Sequence, residues 1–311
     1  MALAGRLPPA EMFPAGRPDL RTRIVELASG VRVRVVEAGD ESSPPLVFLP
    51  GWGCSVYIFR ETLAPLAAAG FHAIAADLKG HGLSDKPDSP AEYTTESMRS
   101  HVVELLDALG ILRAGLCGLS MGAALASHVA AAFPQRVSGL VLVSPVGFDG
   151  VPGLRLLKAL TPMSSTARLA SMASRTMIRA MLLGVYGKLR RFTERDVDEY
   201  WAPTQFPGFT RAMRHLLHEY TWNAPFPQLD VPSLTIVGTR DYLAPRRAAA
   251  KYARRNPQMI TLVVPGAGHV VFDEAPALVN RSLVEFFRAH SSDGLYFDKN
   301  DTDFQATAAG G

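Results

Sequence analysis

The chain has 311 residues, of which 48% are hydrophobic, and its formal net charge is +3. A chain of this size and apolar content can bury one large core and carry an insertion, whereas so small a net charge gives no support for a nucleic-acid partner. The longest uncharged stretch, residues 114–135, holds two serines and a histidine, so we expect no transmembrane segment. Residues 1–20 contain prolines and charges without an apolar signal core, which predicts an N-terminal extension on a cytoplasmic protein.

The first half of the chain alternates short apolar runs with helical patterns. Residues 21–27 and 31–37 are a predicted strand pair with a turn at Ser29-Gly30. The other predicted strands of this half are 46–49, 71–76, 114–117 and 137–143, and the predicted helices are 56–69, 95–109 and 123–132. Strands that alternate with helices predict an α/β fold, a parallel sheet with helices on both faces.

Residues 118–122, Gly-Leu-Ser-Met-Gly, match the nucleophile-elbow pattern G-x-S-x-G between a predicted strand and a predicted helix. On so sharp a turn Ser120 has a strained backbone and an exposed hydroxyl group. A Cβ atom at either flanking glycine would crowd the neighbouring strand or helix. The helix start behind the serine also directs free backbone N–H groups at any oxyanion formed there. Ser120 is therefore the candidate nucleophile, and an ordinary glycine-rich turn is the alternative.

The alternation of strands and helices breaks between Pro145 and Pro232. Helical periodicity without a convincing strand predicts an inserted helical cap over residues 148–228. The core is then expected to comprise residues 21–147 and 229–290. A lid of this kind commonly closes a site off from water, so we expect the cap to cover the site.

The cap is basic and rich in methionine and aromatic residues. Residues 149–222 contain eleven lysines and arginines against six acidic residues. One interpretation is a lid that lines an apolar pocket and touches lipid. Its candidate pocket residues are Trp201 and Phe206, together with Val270 outside the cap. The alternative is that these side chains only pack apolar helices onto the core.

Two polar side chains follow predicted strands in the last third of the chain. Asp241 follows strand 234–238 and His269 follows strand 261–264, at the strand ends where open α/β sheets place their chemistry. A serine hydroxyl needs a base to take its proton, so His269 is the candidate base and Asp241 the candidate acid. The chain order is Ser, Asp, His. Two alternatives stay open: Asp241 as a helix N-cap, and Asp149, behind an earlier strand, as the acid.

Two loops, residues 46–53 and 77–84, complete a set of five motifs. From about residue 21 to residue 290 the chain resembles α/β-hydrolase-fold enzymes of the lid-bearing, esterase-like type. The resemblance implies a mostly parallel, eight-stranded sheet with helices on both faces. Two positions depart from the family pattern, since Pro50 stands where histidine is usual and Lys79 where arginine is commoner.

The resemblance also implies a mechanism. Ser120 attacks an electrophilic carbonyl, His269 takes the hydroxyl proton and later donates it, and Asp241 fixes the imidazole tautomer. The backbone N–H groups of Trp52 and Met121 are the candidate oxyanion hole. We expect no cofactor and no metal, because no Cys/His cluster has metal-ligand spacing.

The serine narrows the chemistry. Haloalkane dehalogenases and epoxide hydrolases of this fold use an aspartate nucleophile. Carbon–carbon bond hydrolases usually have Asn where Leu119 stands, and prolyl aminopeptidases usually have Trp where Met121 stands. The elbows of haloperoxidase-like perhydrolases and enol-lactone hydrolases are closer to this one. We therefore expect hydrolysis of a carboxylic ester or lactone through an acyl-enzyme on Ser120, with an apolar, small-molecule acyl substrate.

Other functions stay open on the same motifs. The triad also suits C–C bond hydrolysis, perhydrolase or haloperoxidase-like chemistry and acyl transfer. A non-catalytic receptor or accessory protein of this fold can retain the triad as well. The sequence gives no indication of the oligomeric state.

The remaining reactive residues have plainer interpretations. Cys54 and Cys117 are expected to be buried free thiols. His81 lies in a glycine-flanked loop and is expected to be structural. Residues 291–311 are polar, with an acidic middle and a Gly/Ala end, which predicts a disordered tail.

Overall fold

The structure, a computed structural model, describes residues 7–148 and 153–290. Its strands are β1 (Arg21–Glu26), β2 (Arg32–Ala38), β3 (Pro45–Leu49), β4 (His72–Ala76), β5 (Ala114–Leu119), β6 (Val137–Val143), β7 (Ser233–Gly238) and β8 (Ile260–Val264). They form one sheet in the order β1-β2-β4-β3-β5-β6-β7-β8. The pairs β1–β2 and β2–β4 are antiparallel and the other pairs are parallel. The mostly parallel, eight-stranded sheet is thereby confirmed.

The α-helices follow in chain order. They are α1 (Leu63–Ala68), α2 (Thr95–Ala108), α3 (Met121–Ala132), α4 (Leu154–Leu160), α5 (Thr166–Met172), α6 (Arg175–Val185), α7 (Glu194–Trp201), α8 (Phe209–Glu219), α9 (Arg246–Arg255), α10 (Val271–Glu274) and α11 (Pro276–Ala289). Apart from α1, the predicted strands and helices of the sheet core are confirmed, with ends shifted by at most two residues.

Successive side chains of the central strands enter two separate apolar layers. On one face of β3, Val47 lies in the same cluster as Val102 of α2. On the other face, the Phe48 ring packs against Phe59 and Phe272, with ring centroids 5.2 and 6.3 Å away. Because both faces are covered by helices, the central strands β3 and β5 are apolar along their whole length.

One predicted element is wrong. The predicted helix over residues 56–69 is two separate pieces, the 3-10 helix Val56–Phe59 and the short helix α1. Pro65 lies in the first turn of α1, where its missing N–H group is tolerated. Its ring, however, clashes with an α-helical carbonyl four residues earlier, at Glu61. An α-helix therefore cannot continue from the 3-10 helix into α1.

Between β6 and β7 the chain leaves the sheet. We call residues 153–232 the inserted segment. It contains α4 to α8, and within the part that the structure describes it contributes no strand. An isolated bridge joins Phe148, just before it, to Ala224. The helical content agrees with the predicted cap, while the proposed boundaries at residues 148 and 228 stay a prediction.

The described part of the N-terminal extension is packed against the rest of the chain. Phe13 is buried, and its ring contacts that of Tyr57, with centroids 5.9 Å apart. The Phe13 backbone N–H donates to Glu199 of α7 at 2.8 Å. Residues 7–20 therefore tie the core to the inserted segment. The predicted disordered tail, residues 291–311, lies outside the described residues.

A buried carboxylate connects three parts of the core. Asp77, which follows β4, accepts hydrogen bonds from Arg34 Nε of β2 at 2.7 Å and from the backbone N–H groups of Val56 and Leu83, both at 2.8 Å. Arg34 and Asp77 are 3% and 0% exposed. Because Val56 ends the loop that begins at Pro50, this carboxylate fixes one end of that loop.

Replacing Asp77 is expected to be strongly destabilising. Asp77→Ala would leave Arg34 buried without its counter-charge, a change that typically costs about 3–5 kcal/mol. The exposed pair Arg17–Asp19 is a matched control, and Asp19→Ala is expected to change the stability little, because solvent screens an exposed ion pair. Urea denaturation of both variants measures the difference. Equal losses in the free energy of unfolding would show that the buried pair stabilises the fold no more than the exposed pair does.

Candidate active site

Ser120 occupies a strained turn between β5 and α3. Its backbone angles are φ 55° and ψ −117°, a region that residues other than glycine rarely adopt. The Ser120 N–H donates to the Val143 carbonyl of β6 at 2.9 Å. The Ser120 carbonyl accepts from Ala123 and Ala124, both at 3.1 Å. These bonds hold the strained residue in place, and its side chain is partly exposed.

The two glycines of the elbow are required by space. A Cβ atom at Gly118 would lie 2.4 Å from the Ala123 nitrogen of α3. A Cβ atom at Gly122 would lie 2.1 Å from the carbonyl oxygen of Leu49, at the end of β3. Both distances are far shorter than any real contact of a Cβ atom. The crowding expected from the sequence is therefore confirmed at both positions.

The loop after β3 runs beside the serine. A Cβ atom at Gly51 would lie 3.1 Å from the Ser120 Cβ atom. The next residue, Trp52, donates from its indole Nε1 to the Met213 carbonyl of α8 at 2.9 Å. Met121 is the first residue of α3, so its N–H is one of the four that a helix leaves without an intrahelical acceptor. Of the two residues predicted for the oxyanion hole, Met121 adjoins Ser120 in sequence, and Trp52 follows Gly51, the residue of this loop that approaches Ser120.

His269 and Asp241 form a hydrogen-bonded pair. The Nδ1 atom of His269 lies 2.9 Å from Oδ2 of Asp241. The other carboxylate oxygen accepts from the backbone N–H groups of Leu243 and Ala244, both at 2.9 Å. Burial opposes a charge on Asp241, but the imidazole and these hydrogen bonds hold the pKa of its carboxyl group below the usual value. The carboxylate therefore both orders its own loop and fixes the ring of His269.

This pair bears on the two alternatives for the acid. Asp241 does bind N–H groups in its own loop, as a capping residue would, and it binds His269 as well. The rival acid, Asp149, lies outside the described residues. Of the two candidate acids, Asp241 is therefore the one for which the structure gives a contact with His269.

The inserted segment holds the loop of His269 through its backbone. The His269 N–H donates to the Val185 carbonyl, at the end of α6, at 2.7 Å. The Lys188 N–H donates to the Gly266 carbonyl at 2.8 Å. A Cβ atom at Gly268 would lie 2.4 Å from the Val185 oxygen, so the two segments touch only because this residue is glycine. The position of the histidine therefore depends on the inserted segment.

Glu274 joins the same two segments and was not singled out from the sequence. Its Oε1 atom accepts from the Gly268 N–H at 2.7 Å and its Oε2 atom from the Gly187 N–H at 2.8 Å. Glu274 lies on the short helix α10 and is buried. The sequence gives no signal for this role, because both hydrogen-bond partners of Glu274 are backbone groups and form no sequence motif.

A second buried cluster fixes α7 and α10 to the core. Arg60 donates to Asp273 of α10 at 2.5 Å and to Asp196 of α7 at 2.7 Å. The Tyr57 hydroxyl also donates to Asp196, at 2.8 Å, and the Tyr186 hydroxyl to Asp273, at 2.6 Å. The cluster holds α10, which begins two residues after His269, and it too was not found from the sequence.

The predicted pocket residues lie in different surroundings. Val270 is buried, directly after His269. Trp201 is partly buried and donates from Nε1 to the Ala173 carbonyl at 3.2 Å, within the inserted segment. Phe206 lines a cavity of about 650 Å³ between α5 and α8, whose wall also includes His215. The structure thus brings Val270 to the histidine, while Trp201 and Phe206 belong to the inserted segment.

Other reactive side chains have structural roles. His81 is fully buried, and burial lowers the pKa of its imidazole to about 4, so it stays neutral near pH 7, consistent with its predicted structural role. Cys54 and Cys117 are free thiols; burial raises the pKa of Cys54 to about 12. Among the described residues, no three His, Cys, Asp or Glu side chains gather into a possible metal site. In the same part of the chain no helix has the length and apolarity needed to cross a bilayer.

Comparison with known proteins identifies the family. The model of the alpha/beta hydrolase fold matches residues 44–276, which include the elbow, Asp241 and His269. The chain therefore belongs to the α/β-hydrolase fold family, as its motifs indicated.

Relatives and solved structures span several activities. The AB hydrolase superfamily protein YfhM of Bacillus subtilis (strain 168) is 26% identical over 279 residues, covering 84% of this chain and 96% of that protein. Epoxide hydrolase A of Mycobacterium tuberculosis (strain ATCC 25618 / H37Rv) is 26% identical over 313 residues, covering 85% and 96%. The enol-lactonase from Burkholderia xenovorans LB400 is 22% identical with a TM-score of 0.70, covering 85% of this chain and 99% of that chain. At that identity the likeness to the lactonase shows the fold alone.

The glycine at position 122 allows a stability test with an internal control. Gly122→Ala is expected to lower the melting temperature markedly, because the added Cβ meets backbone that cannot move freely. Gly184 lies inside α6 with no atom within 4 Å of an added Cβ. Gly184→Ala is expected to be neutral or to stabilise by up to about 1 kcal/mol. Thermal unfolding of both variants checks this, and similar melting temperatures would contradict the argument for a crowded elbow.

Proposed function

We propose that this protein hydrolyses a carboxylic ester or lactone through an acyl-enzyme on Ser120. The observation that carries the proposal is the hydrogen bond between His269 and Asp241. It supplies an oriented imidazole at the carboxyl edge of the sheet, the edge at which the strained Ser120 turn also lies. A serine becomes a nucleophile when such a base takes its proton.

The proposed steps follow the geometry of these groups. The Ser120 hydroxyl oxygen attacks the ester carbonyl carbon as its proton passes to Nε2 of His269. The alcohol leaves with that proton as the C–O bond breaks, and water then cleaves the acyl-enzyme with His269 again as the base. Asp241 binds Nδ1 of the ring, which leaves Nε2 as the nitrogen proposed to take the serine proton, and it stabilises the imidazolium.

The oxyanion of the tetrahedral intermediate is assigned to two backbone groups. Met121 offers the first N–H of α3, and the adjacent helix start favours negative charge. Trp52 lies in the loop that passes beside the Ser120 Cβ atom. Its indole bond to Met213 keeps that loop against the inserted segment. Losing one such donor commonly costs about a hundredfold or more in rate.

The inserted segment is proposed as the cap that receives the acyl group. The 650 Å³ cavity has apolar side chains in its wall, among them Met163 and Phe206. One wall is α8, where His215 faces the cavity two residues after Met213, the partner of Trp52. We propose that the apolar acyl chain of the substrate occupies this cavity.

The serine favours ester or lactone hydrolysis over the epoxide hydrolysis named among the relatives. Epoxide hydrolase A is similar over most of the chain, but an epoxide hydrolase of this fold is expected to carry aspartate where Ser120 stands. A seryl acyl-enzyme instead suits esters and lactones, and an enol-lactonase shares the fold. Acyl transfer, C–C bond cleavage and perhydrolysis would use the same triad, and a receptor would keep the pocket without turnover.

Asp241→Asn is the sharpest test of the triad. The substitution should preserve folding yet lower kcat on a p-nitrophenyl ester by roughly a thousandfold or more, because the imidazole is held in the wrong tautomer. Asp230→Asn, at an exposed position, is the matched control and should leave kcat unchanged. Asp149→Asn is measured beside them. A mild loss of kcat in Asp241→Asn with a severe loss in Asp149→Asn would show that Asp149, and not Asp241, is the acid.

Steady-state turnover in the same assay separates the enzyme from a receptor. A binder would release at most one equivalent of p-nitrophenol. Product partitioning when an alcohol is added would reveal acyl transfer in place of hydrolysis.

The acyl pocket is tested by changing chain length. Trp201→Ala and Phe206→Ala should reorder kcat/KM across p-nitrophenyl esters from acetate to decanoate, because Phe206 lines the 650 Å³ cavity and Trp201 is the other aromatic residue of the inserted segment that the sequence predicts to contact the acyl chain. Leu183→Ala, at a site 69% exposed on α6, should leave that order intact. An unchanged order in all three variants would mean that these aromatic side chains serve packing, and that the core loops alone build the pocket.

A further inference from the structure

Positive charge is concentrated in two stretches of the chain. Residues 154–191 contain eight lysines and arginines and no acidic residue. Residues 240–247 add three arginines, and their single acid is Asp241, which is buried against His269. Together the two stretches hold eleven of the 32 cationic residues and one of the 29 acidic ones, so the rest of the chain carries 21 against 28. We call the exposed side chains of residues 154–191 and 240–247 the basic apolar face.

Most of the exposed large apolar side chains lie in the same two stretches. In the described residues, thirteen large hydrophobic side chains are exposed, and nine of them belong to the basic apolar face. Helix α6 buries Ile178 and Leu182 and exposes Met177 and Met181, which are one turn apart, as well as Leu183. Scattered single apolar residues are normal on a protein surface, but this concentration on one basic region is not.

The two stretches meet at the loop of His269. Lys188 donates its N–H to the Gly266 carbonyl, and a Cβ atom at Gly266 would lie 3.1 Å from the Leu189 side chain. On the other side of the loop, the Arg240 N–H donates to the Ala267 carbonyl at 2.9 Å. Leu189 thus flanks one side of the loop, and the exposed Tyr242 follows Arg240 on the other. The basic apolar face therefore borders the histidine loop through both of its stretches.

Part of the charge is compensated at the margin of this face. Glu194 of α7 pairs with Arg175 and Arg179, and Asp198 also pairs with Arg175. Arg190 faces Glu61 at 3.7 Å.

Other cations of the face stand without a nearby carboxylate. In the part of the chain that the structure describes, five exposed cations of the face have no carboxylate within ion-pair distance. They are Lys188, Arg191, Arg240, Arg246 and Arg247.

We propose that the basic apolar face docks on an anionic phospholipid bilayer. Methionine, leucine and tyrosine side chains enter the boundary between headgroups and acyl chains, while lysine and arginine extend to the phosphates. A bilayer accepts separate apolar side chains without a matching shape. A protein partner requires a packed core from which charged residues are depleted. A symmetric dimer through this face would bring like charges together.

Docking in this orientation places the catalytic loop at the membrane. If Ser120 acts as proposed above, lipid-derived acyl compounds would reach it directly from the bilayer, which is the one part of this inference that rests on the proposed function. Bilayer binding itself needs no turnover, so the two claims can fail separately.

The test is co-sedimentation of the full chain with vesicles at low salt. One set contains phosphatidylcholine alone and the other adds phosphatidylglycerol. The protein should sediment with the anionic vesicles, with binding that weakens as salt is raised, and should stay in solution with the neutral ones. Failure to bind anionic vesicles, or equal binding to both sets, overturns the proposal.

A matched pair of double variants locates the surface. Leu183→Ser with Arg191→Glu changes an apolar and a cationic residue of the face. Leu112→Ser with Arg113→Glu changes adjacent exposed residues elsewhere, Leu112 being 85% exposed. The first variant should weaken vesicle binding by about tenfold or more, and the second should bind like the original chain. Thermal melts confirm that both are folded.

Three further results would each overturn the assignment. The first is equal weakening in both variants. The second is self-association through the face in place of vesicle binding. The original chain would then show a mass that rises with concentration and would not bind vesicles, and the first variant would stay monomeric. The third is vesicle binding that persists in the first variant at high salt.

Discussion

The structure depends on the close approach of α3 to the end of β3. Only a glycine at position 122 permits it, since a Cβ atom there would lie 2.1 Å from the Leu49 carbonyl oxygen. This contact brings the loop that follows β3 alongside Ser120 and places the first N–H of α3 beside the same residue. The strain of the Ser120 backbone is sustained by hydrogen bonds to β6 and α3. The proposed nucleophile and the proposed oxyanion donors therefore depend on one packing constraint.

The proposed base depends on a different part of the chain. His269 takes its ring orientation from Asp241, but its backbone is held by Val185 of the inserted segment. Glu274 then fastens the same two segments through Gly268 and Gly187. Because the element proposed as a cap also holds the histidine loop, movement of that element would change the position of the base as well as access to the pocket. The basic apolar face borders this same loop, so docking would act on the same element.

Local patterns explain why much of this could be predicted from the sequence. Apolar alternation located the strands, and the spacing of Gly118 and Gly122 around Ser120 identified the elbow. Strand ends located Asp241 and His269. The partners of Arg60 could not be found in this way, since Asp196 and Asp273 lie 136 and 213 residues away. Glu274 could not be predicted, because its partners are backbone N–H groups, which every non-proline residue has. The predicted helix over residues 56–69 was wrong because the effect of Pro65 was not weighed against an otherwise helical pattern.

Mass spectrometry of the protein after reaction with a fluorophosphonate shows whether Ser120 is the nucleophile. Such a reagent is attacked by an activated serine and leaves a stable phosphonyl ester in place of the acyl group. If Ser120 is the nucleophile, the protein carries one adduct per chain, on the peptide that contains Ser120, and Ser120→Ala carries none. An unlabelled native chain, or an adduct that survives in Ser120→Ala, would contradict the assignment of Ser120 as the nucleophile.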